Sequence, residues 1–451
     1  MSRPFAAEPG LRWLAYQLRR PFVRDAAVLQ VGAFATLGVN FLLSVALARL
    51  LGRDDYGAYA LMISTMTTIS LFKRLGQDYV VTTDLSSAYA RRDARDARQA
   101  LVAFNVINVW STLLVIPIAL LIAPAIMGWF FRDATLAEPL RLALLPPIWA
   151  MALATLVVVL QCSRRVLTLT VVENANNLVL GAAALAMVLA GGKVSGVFLG
   201  QAAASLVFAA LALEIYRRVQ AEDPLLPTLR ALWVGIQQPP RAVWREFRSG
   251  LAVALDKNLV SLYPLAPILL LGSLAPTDQV ALLRVAMSYV AVPLVALSAV
   301  SRLLMVKFPE LHALQPERVR RFYLRVTAIG GLASFGLTLP FVLLAPWLIG
   351  HLYGPDFVPA SHLVPLLAID PLLAGIGIAA GPIFRTYARN MWAVYANLAV
   401  LTVGLPGAYL LIQSSGLAGA ALAYAGLVTA LRFTAYVLCL KLASQKRPCV
   451  S

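Results

Sequence analysis

The chain has 451 residues, of which 60% are hydrophobic and only 13% are charged, and its formal net charge is +17. Soluble domains carry about 25% charged residues, so a chain this apolar cannot cover a water-facing surface. The sequence therefore predicts an integral membrane protein, whose basic charge sets orientation and gives no reason to expect a nucleic-acid partner. The three cysteines and three histidines lack metal-ligand spacing, so we expect no disulfide framework and no metal site.

The first predicted element is a basic N-terminal segment over residues 1–26, which we expect on the cytoplasmic side. Leu11, Leu14 and Leu18 recur at helical spacing, with arginines between and around them. This pattern favours a short amphipathic helix at the membrane surface. A basic tail without regular structure is the alternative.

Twelve apolar stretches then follow, each long enough to cross a bilayer, which takes about 20 helical residues. Only helices satisfy their own backbone hydrogen bonds in lipid at such lengths, so the predicted fold class is an all-α polytopic membrane protein. The predicted spans are 27–50, 57–82, 100–128, 139–161, 166–190, 195–216, 249–273, 278–304, 322–350, 361–384, 391–413 and 417–440.

Lysine and arginine alternate in frequency between successive connections of these spans. Counted with the adjoining ends of the spans, one set of connections together with both termini holds 28 of them, and the other set holds 4. Because cytoplasmic loops carry the basic excess, both termini are predicted to be cytoplasmic. The predicted domains are a six-helix bundle over 27–216, a cytoplasmic linker over 217–248, a second six-helix bundle over 249–441 and a cytoplasmic tail over 442–451.

The two predicted bundles repeat one another weakly at an offset of about 220 residues. The turn after span three matches the turn after span nine, with Gly128 opposite Gly350. A second match places Gly196 opposite Gly419, and the LLG sequence at Gly52 recurs at Gly272. Since six spans keep both halves in the same orientation, their axis should run along the membrane normal.

Three segments carry a family resemblance, namely LARLLGRDDYGAYALMIS at 47–64, LIGHLYGPDFVPASHLVPLLAI at 348–369 and SGLAGAALAYAGLV at 415–428. They resemble the polysaccharide-exporter branch, which includes the O-antigen flippases, of the multidrug/oligosaccharidyl-lipid/polysaccharide (MOP) superfamily. The resemblance implies two six-helix bundles around a central cavity that opens to one side at a time. One departure is that Pro264 and Pro267 precede the LLLG of span seven, where the family often has a charge; they suggest a broken or kinked helix.

Ionisable groups inside spans are costly, so they usually face a cavity or a partner. A lipid-linked pyrophosphate needs a wet, cationic path, which arginine and lysine can supply. The candidate substrate-binding cavity cations are Lys73, Arg74, Lys257, Arg284 and Arg432. In the structural alternatives, Arg74 pairs with Asp78 on one helical face, and Arg432 extends to the inner headgroups. Arg49, in turn, extends to the outer headgroups or meets Asp54 or Asp55.

Buried acids and amides form a second set of candidates. Export must be driven, and an intramembrane carboxylate that takes up H⁺ or Na⁺ can couple an ion gradient to transport. The candidates for ion coupling or sugar contact are Glu173, Asn176, Asn177, Asp256 and Asp370. The amides suit sugar hydroxyls, but they also suit hydrogen bonding between helices, and the sequence leaves both open.

The leading hypothesis is a flippase that moves undecaprenyl-pyrophosphate-linked oligosaccharide across the bacterial inner membrane for O-antigen, capsule or exopolysaccharide synthesis. The alternatives are an ion-coupled multidrug exporter of the same superfamily, whose cavity should be acid-rich, and a membrane glycosyltransferase or polymerase partner. Expected partners are the lipid-linked oligosaccharide, membrane lipids, a polysaccharide polymerase and glycosyltransferases. No nucleotide-binding loop or hydrolase motif occurs, so we expect neither a cofactor nor an enzyme.

Overall fold

The computed structural model describes residues 21–74, 76–237, 243–387 and 389–444, and these residues form α-helices without any strand. Residues 1–20 of the predicted N-terminal segment lie outside the described residues. Residues 445–451 of the predicted tail also lie outside them. The all-α prediction is confirmed within the described ranges.

The N-terminal half begins with a long helix that contains the first two predicted spans. This helix, α1 (Pro21–Arg74), turns at Gly52, whose φ of 74° lies in the left-handed region that glycine tolerates. The helices that follow are α2 (Gln77–Arg91), α3 (Ala94–Ala125, extended by a π-helical turn at Ile126–Phe130), α4 (Ala137–Ala143), α5 (Pro146–Cys162), α6 (Val166–Leu189) and α7 (Lys193–Glu222).

The linker contains one short helix, and the C-terminal half follows it. The helices are α8 (Leu229–Ile236), α9 (Trp244–Leu274), α10 (Thr277–Leu314), α11 (Val319–Tyr353), α12 (Val364–Leu367), α13 (Ile369–Ile376), α14 (Ala380–Thr386) and α15 (Asn390–Ala443). The helix α15 turns at Gly416, where φ is 52°, and so contains the last two predicted spans.

Nine helices within the described ranges are long and apolar enough to cross a membrane. Two of them, Val28–Lys73 and Met391–Ala443, have 46 and 53 residues. At 1.5 Å per residue each would extend about 70–80 Å, more than twice the hydrocarbon core, so each can cross twice around its glycine. The helix α10 is a further long helix of 38 residues. A multi-pass membrane fold is established, while the number of twelve stays a prediction.

Three predicted spans differ in detail from the helices. Span two ends at Arg74, eight residues earlier than predicted, because Gly76 takes a left-handed φ of 67° where the chain approaches the backbone of Gly250. Span ten is divided among α12, α13 and α14, in a segment rich in proline and glycine. The break suggested in span seven is wrong, since α9 continues through Pro264 and Pro267.

The buried apolar residues show how the two predicted halves meet. The largest core cluster combines both halves near the predicted outer ends, with Leu47 and Tyr56 beside Val280, Tyr353 and Phe357. Near the predicted inner ends, a second cluster involves residues 81–243 and a separate one involves residues 304–443. The halves therefore share a core at the outer end and have separate cores at the inner end.

Candidate functional site

A polar cavity of about 1060 Å³ lies within the N-terminal half. Its lining residues fall between 29 and 209 and come from α1, α2, α3, α5, α6 and α7. Side chains that can hydrogen bond contribute much of the wall. They include Thr36, Asn40, Ser70, Asn108, Gln161, Gln201 and Ser205, none of which the sequence analysis singled out. Their positions on separate spans explain this, because no local pattern brings them together.

The polar sequence around Glu173 on α6 contributes the most polar stretch of the wall. Glu173, Asn176 and Asn177 all line the cavity and form no hydrogen bond or ion pair within the described part of the chain. Asn174 behaves differently, because it accepts from the Thr36 hydroxyl at 3.1 Å and donates to the Thr170 carbonyl at 2.9 Å. Asn174 therefore joins helices, while Asn176 and Asn177 face the cavity and their contact with sugar hydroxyls stays a prediction.

Lys73 also lines this cavity, near its predicted inner end. The side chain is 8% exposed and its ammonium donates a hydrogen bond to the Pro147 carbonyl on α5. Asp78 lines the same cavity from α2. Arg74 and Asp78 do not lie on one continuous helix, since α1 ends at Arg74 and α2 begins at Gln77, and their pairing stays a prediction. The side chains of Arg74 and Asp256 lie outside the described parts of the structure.

Lys257 and Arg284 lie away from the cavity. The Lys257 ammonium lies 4.1 Å from the ring centroid of Tyr79, at the predicted inner end of the contact between halves. Arg284 is half-buried on α10 near the predicted outer end, close to Tyr56. The Tyr56 hydroxyl forms a 2.7 Å hydrogen bond with Ser44. The two cations therefore occupy opposite ends of the interface between the halves.

Asp370 and Arg432 form a pair inside the C-terminal half. Arg432 on α15 donates to Asp370 at 3.1 Å, and the Tyr424 hydroxyl donates to the other carboxylate oxygen at 2.6 Å. Asp370 is buried, with 7% of its surface exposed. A buried carboxylate with an arginine and a hydroxyl is well satisfied, so the extension of Arg432 to the headgroups is wrong.

Basic side chains do not outnumber acidic side chains in the described wall of the cavity. Among the described residues, its Asp, Glu, Lys and Arg side chains are Lys73, Asp78 and Glu173. The predicted excess of bases is therefore not found in this cavity. Polar uncharged side chains, such as Asn176 and Gln201, outnumber the charged ones in the wall beside its apolar residues, which suits recognition of hydroxyls through hydrogen bonds.

The fold matches solved structures of multidrug resistance MATE transporters. An inward-facing MATE transporter of the MOP superfamily has a TM-score of 0.74 at 14% identity, with 91% of this chain and 94% of that chain covered. An outward-facing MATE transporter of the superfamily has a TM-score of 0.65 at 16% identity, with coverages of 95% and 97%. The eukaryotic MATE transporter AtDTX14 has a TM-score of 0.65 at 19% identity, with coverages of 93% and 95%.

These likenesses and the two-half helical architecture define the class: a multi-pass membrane protein with the fold of MOP transporters. The family model for polysaccharide biosynthesis proteins matches residues 22–315, more than half of the chain. The chain therefore belongs to the polysaccharide biosynthesis protein family. The sequence has no match among curated proteins.

Proposed function

We propose that this protein is a flippase, without enzymatic activity of its own, for undecaprenyl-pyrophosphate-linked oligosaccharide. It moves the lipid from the inner to the outer leaflet of the bacterial inner membrane, with both of its termini in the cytoplasm. The observation that carries the proposal is membership of the polysaccharide biosynthesis protein family, combined with the fold of a transporter. The product serves O-antigen, capsule or exopolysaccharide assembly, alongside glycosyltransferases and a polymerase.

The cavity of the N-terminal half supports a glycan cargo. Its volume of about 1060 Å³ is at the upper end of the range of about 300–1,000 Å³ for ligand pockets. Asn176 and Asn177 offer both donors and acceptors, as hydroxyl-rich ligands require. The oligosaccharide head group occupies this cavity in the proposal, while the undecaprenyl chain stays in the lipid.

The distribution of the core supports alternating access. Shared packing closes the predicted outer end, whereas at the inner end the halves have separate cores and meet through smaller contacts, such as Asn258 to the Leu71 carbonyl, that must break for the halves to part. This arrangement agrees with the higher TM-score against the inward-facing relative. In the proposal, substrate loads from the inner leaflet in this conformation, and release requires the outer core to separate.

An ion gradient drives the cycle in this proposal. Glu173 is the better candidate for taking up H⁺ or Na⁺, because it faces the cavity without a partner among the described residues. Asp370 is already neutralised by Arg432 and held by Tyr424. Ion uptake at Asp370 would first have to release its arginine, so we place coupling at Glu173.

The acids in the cavity favour a second candidate, an exporter of organic cations. Among the described lining residues, Glu173 and Asp78 outnumber Lys73, and the structural relatives include multidrug resistance transporters. A membrane glycosyltransferase gains no such support. The two transport candidates make different demands on Glu173: the cation exporter needs its charge for binding, and the flippase needs it for coupling.

Deletion of the gene distinguishes the flippase from the exporter of organic cations. A flippase predicts loss of surface polysaccharide, with lipid-linked precursor held in the inner leaflet and unchanged sensitivity to cationic drugs. Restoration of the unaltered gene should rescue the polysaccharide, and Glu173→Gln should rescue it poorly at equal protein abundance. Normal polysaccharide with increased sensitivity to cationic drugs would reject the flippase in favour of the second candidate.

A further inference from the structure

Two cations of the C-terminal half converge on one tyrosine of the N-terminal half. Lys257 on α9 lies 4.1 Å from the ring centroid of Tyr79 on α2. The guanidinium of Arg385 on α14 lies 5.5 Å from the same centroid and donates a hydrogen bond to the Tyr79 hydroxyl. The tyrosine thus engages one cation mainly through its ring and the other through both ring and hydroxyl.

This cluster places two positive charges close together, without an ion pair among the described residues. Neither Lys257 nor Arg385 forms an ion pair with an acid within the described ranges, and both are exposed. Asp78 adjoins Tyr79 in sequence but lines the cavity of the N-terminal half. Two like charges held near one ring repel each other, and an anion between them would relieve that repulsion.

The cluster also lies where a lipid head group would arrive. Tyr79 follows span two, Arg385 ends span ten, and both ends are predicted to face the cytoplasm. The neighbouring contacts between halves include Asn258, which donates to the Leu71 carbonyl at 2.9 Å. The site therefore lies on the seam between the halves at the predicted inner surface, outside the glycan cavity.

We propose that Lys257 and Arg385, positioned by Tyr79, form a docking site for the diphosphate of a lipid substrate. Arg385 supplies a planar fork for two phosphate oxygens, and Lys257 supplies a point charge. The ring of Tyr79 holds both side chains at the seam, which reduces the ordering cost of binding. The inference rests on the proposed function for the identity of the lipid, while the anion chemistry rests on the cluster itself.

The test measures the affinity of the purified full chain in nanodiscs for undecaprenyl diphosphate, with inorganic pyrophosphate as competitor and phosphatidylglycerol as reference lipid. Lys257→Gln and Arg385→Gln should each weaken diphosphate binding about tenfold, the loss expected for one charge-assisted contact. Tyr79→Leu should weaken it as well, and Arg385→Lys should recover part of the affinity. Arg389→Gln is the matched control, because Arg389 is an exposed cation at the same end that contacts Trp392 instead. That variant should bind within about twofold of the unaltered protein.

Unchanged diphosphate affinity in correctly folded Lys257→Gln and Arg385→Gln would overturn the proposal. Equal affinity for phosphatidylglycerol through the same two cations would overturn it too, since the site would then be a general phospholipid contact. Failure of the flippase proposal has a different signature. In that case the affinity pattern is retained, while no glycan lipid crosses the membrane.

Discussion

At the scale of single residues, the sequence identifies which ionisable groups are unfavourable to bury in the membrane, but it does not identify the partners that stabilise them. Asp370 and Arg432 were both predictable as intramembrane charges. Their pairing was not, because the two residues are 62 positions apart in sequence and meet only where α13 packs against α15. Glu173 was predictable as the centre of a polar sequence. That it would have no partner among the described residues was not predictable, because α6 could have turned the carboxylate toward a neighbouring helix.

The Asp370–Arg432 pair gives a prediction about stability. Asp370→Asn and Arg432→Gln should each lower the unfolding free energy by about 1–3 kcal/mol, less than for a fully buried pair because the Arg432 side chain is 32% exposed. The double variant should lose less than the sum of the two, because neither partner is left uncompensated. Thermal unfolding in detergent measures all three. Additive losses to within about 0.5 kcal/mol would mean that the two charges do not stabilise one another.

At the scale of elements, glycines and helix ends determine helix boundaries and contacts that hydropathy does not predict. Hydropathy located the apolar stretches, but the merging of spans around Gly52 and Gly416 depends on tight turns with positive φ. Arg49 forms no ion pair with Asp54 or Asp55 in the described part of the chain, and its extension to the outer headgroups stays a prediction. Arg49 donates instead to the carbonyls of His351 and Leu352 at the C-terminal end of α11, where the helix dipole favours a cation. A sequence gives no sign of such a contact, because carbonyls are present at every residue.

The Arg49 contact joins span one to span nine at the predicted outer end, so it should favour the outer-closed conformation. Arg49→Gln should increase labelling of a cavity cysteine, Gln201→Cys, by an external thiol reagent several-fold, since a cation at a helix C-terminus contributes about 0.3–2 kcal/mol. The control is Arg53→Gln, which removes an ion pair to Asp278 at 3.0 Å that is about one-third exposed. Such a pair contributes about 0–1 kcal/mol, so its effect should be smaller. If labelling is equal in both variants and in the protein that carries only Gln201→Cys, the Arg49 contact does not stabilise the outer-closed conformation.

At the scale of the whole molecule, the sequence predicts the class better than the site. The all-α class and the family resemblance both hold, and the repeated turns after spans three and nine each contain a 3₁₀ segment, Ala134–Leu136 and Pro355–Leu363. The location of the cavity within one half was not predicted, since it depends on how six helices pack. Charge counting along the chain gave the excess of bases, but the cavity samples only a few of those residues.

The predicted orientation is tested by labelling single cysteines in intact cells. Gln237→Cys follows α8 in the predicted cytoplasmic linker, so an external, membrane-impermeant reagent should not reach it. Ala134→Cys lies exposed in the predicted outer turn and should react readily. The reverse pattern would invert the orientation, and with it the direction of the proposed transport.

The most direct test of the proposed function uses purified protein in sealed vesicles that carry undecaprenyl-diphosphate oligosaccharide in one leaflet only. A glycosidase confined to the opposite side reports the arrival of the glycan. The account predicts that the glycan becomes accessible at a rate that increases with the amount of protein and falls with Glu173→Gln. Glycan that stays inaccessible, in vesicles where the same protein moves an organic cation, would contradict it.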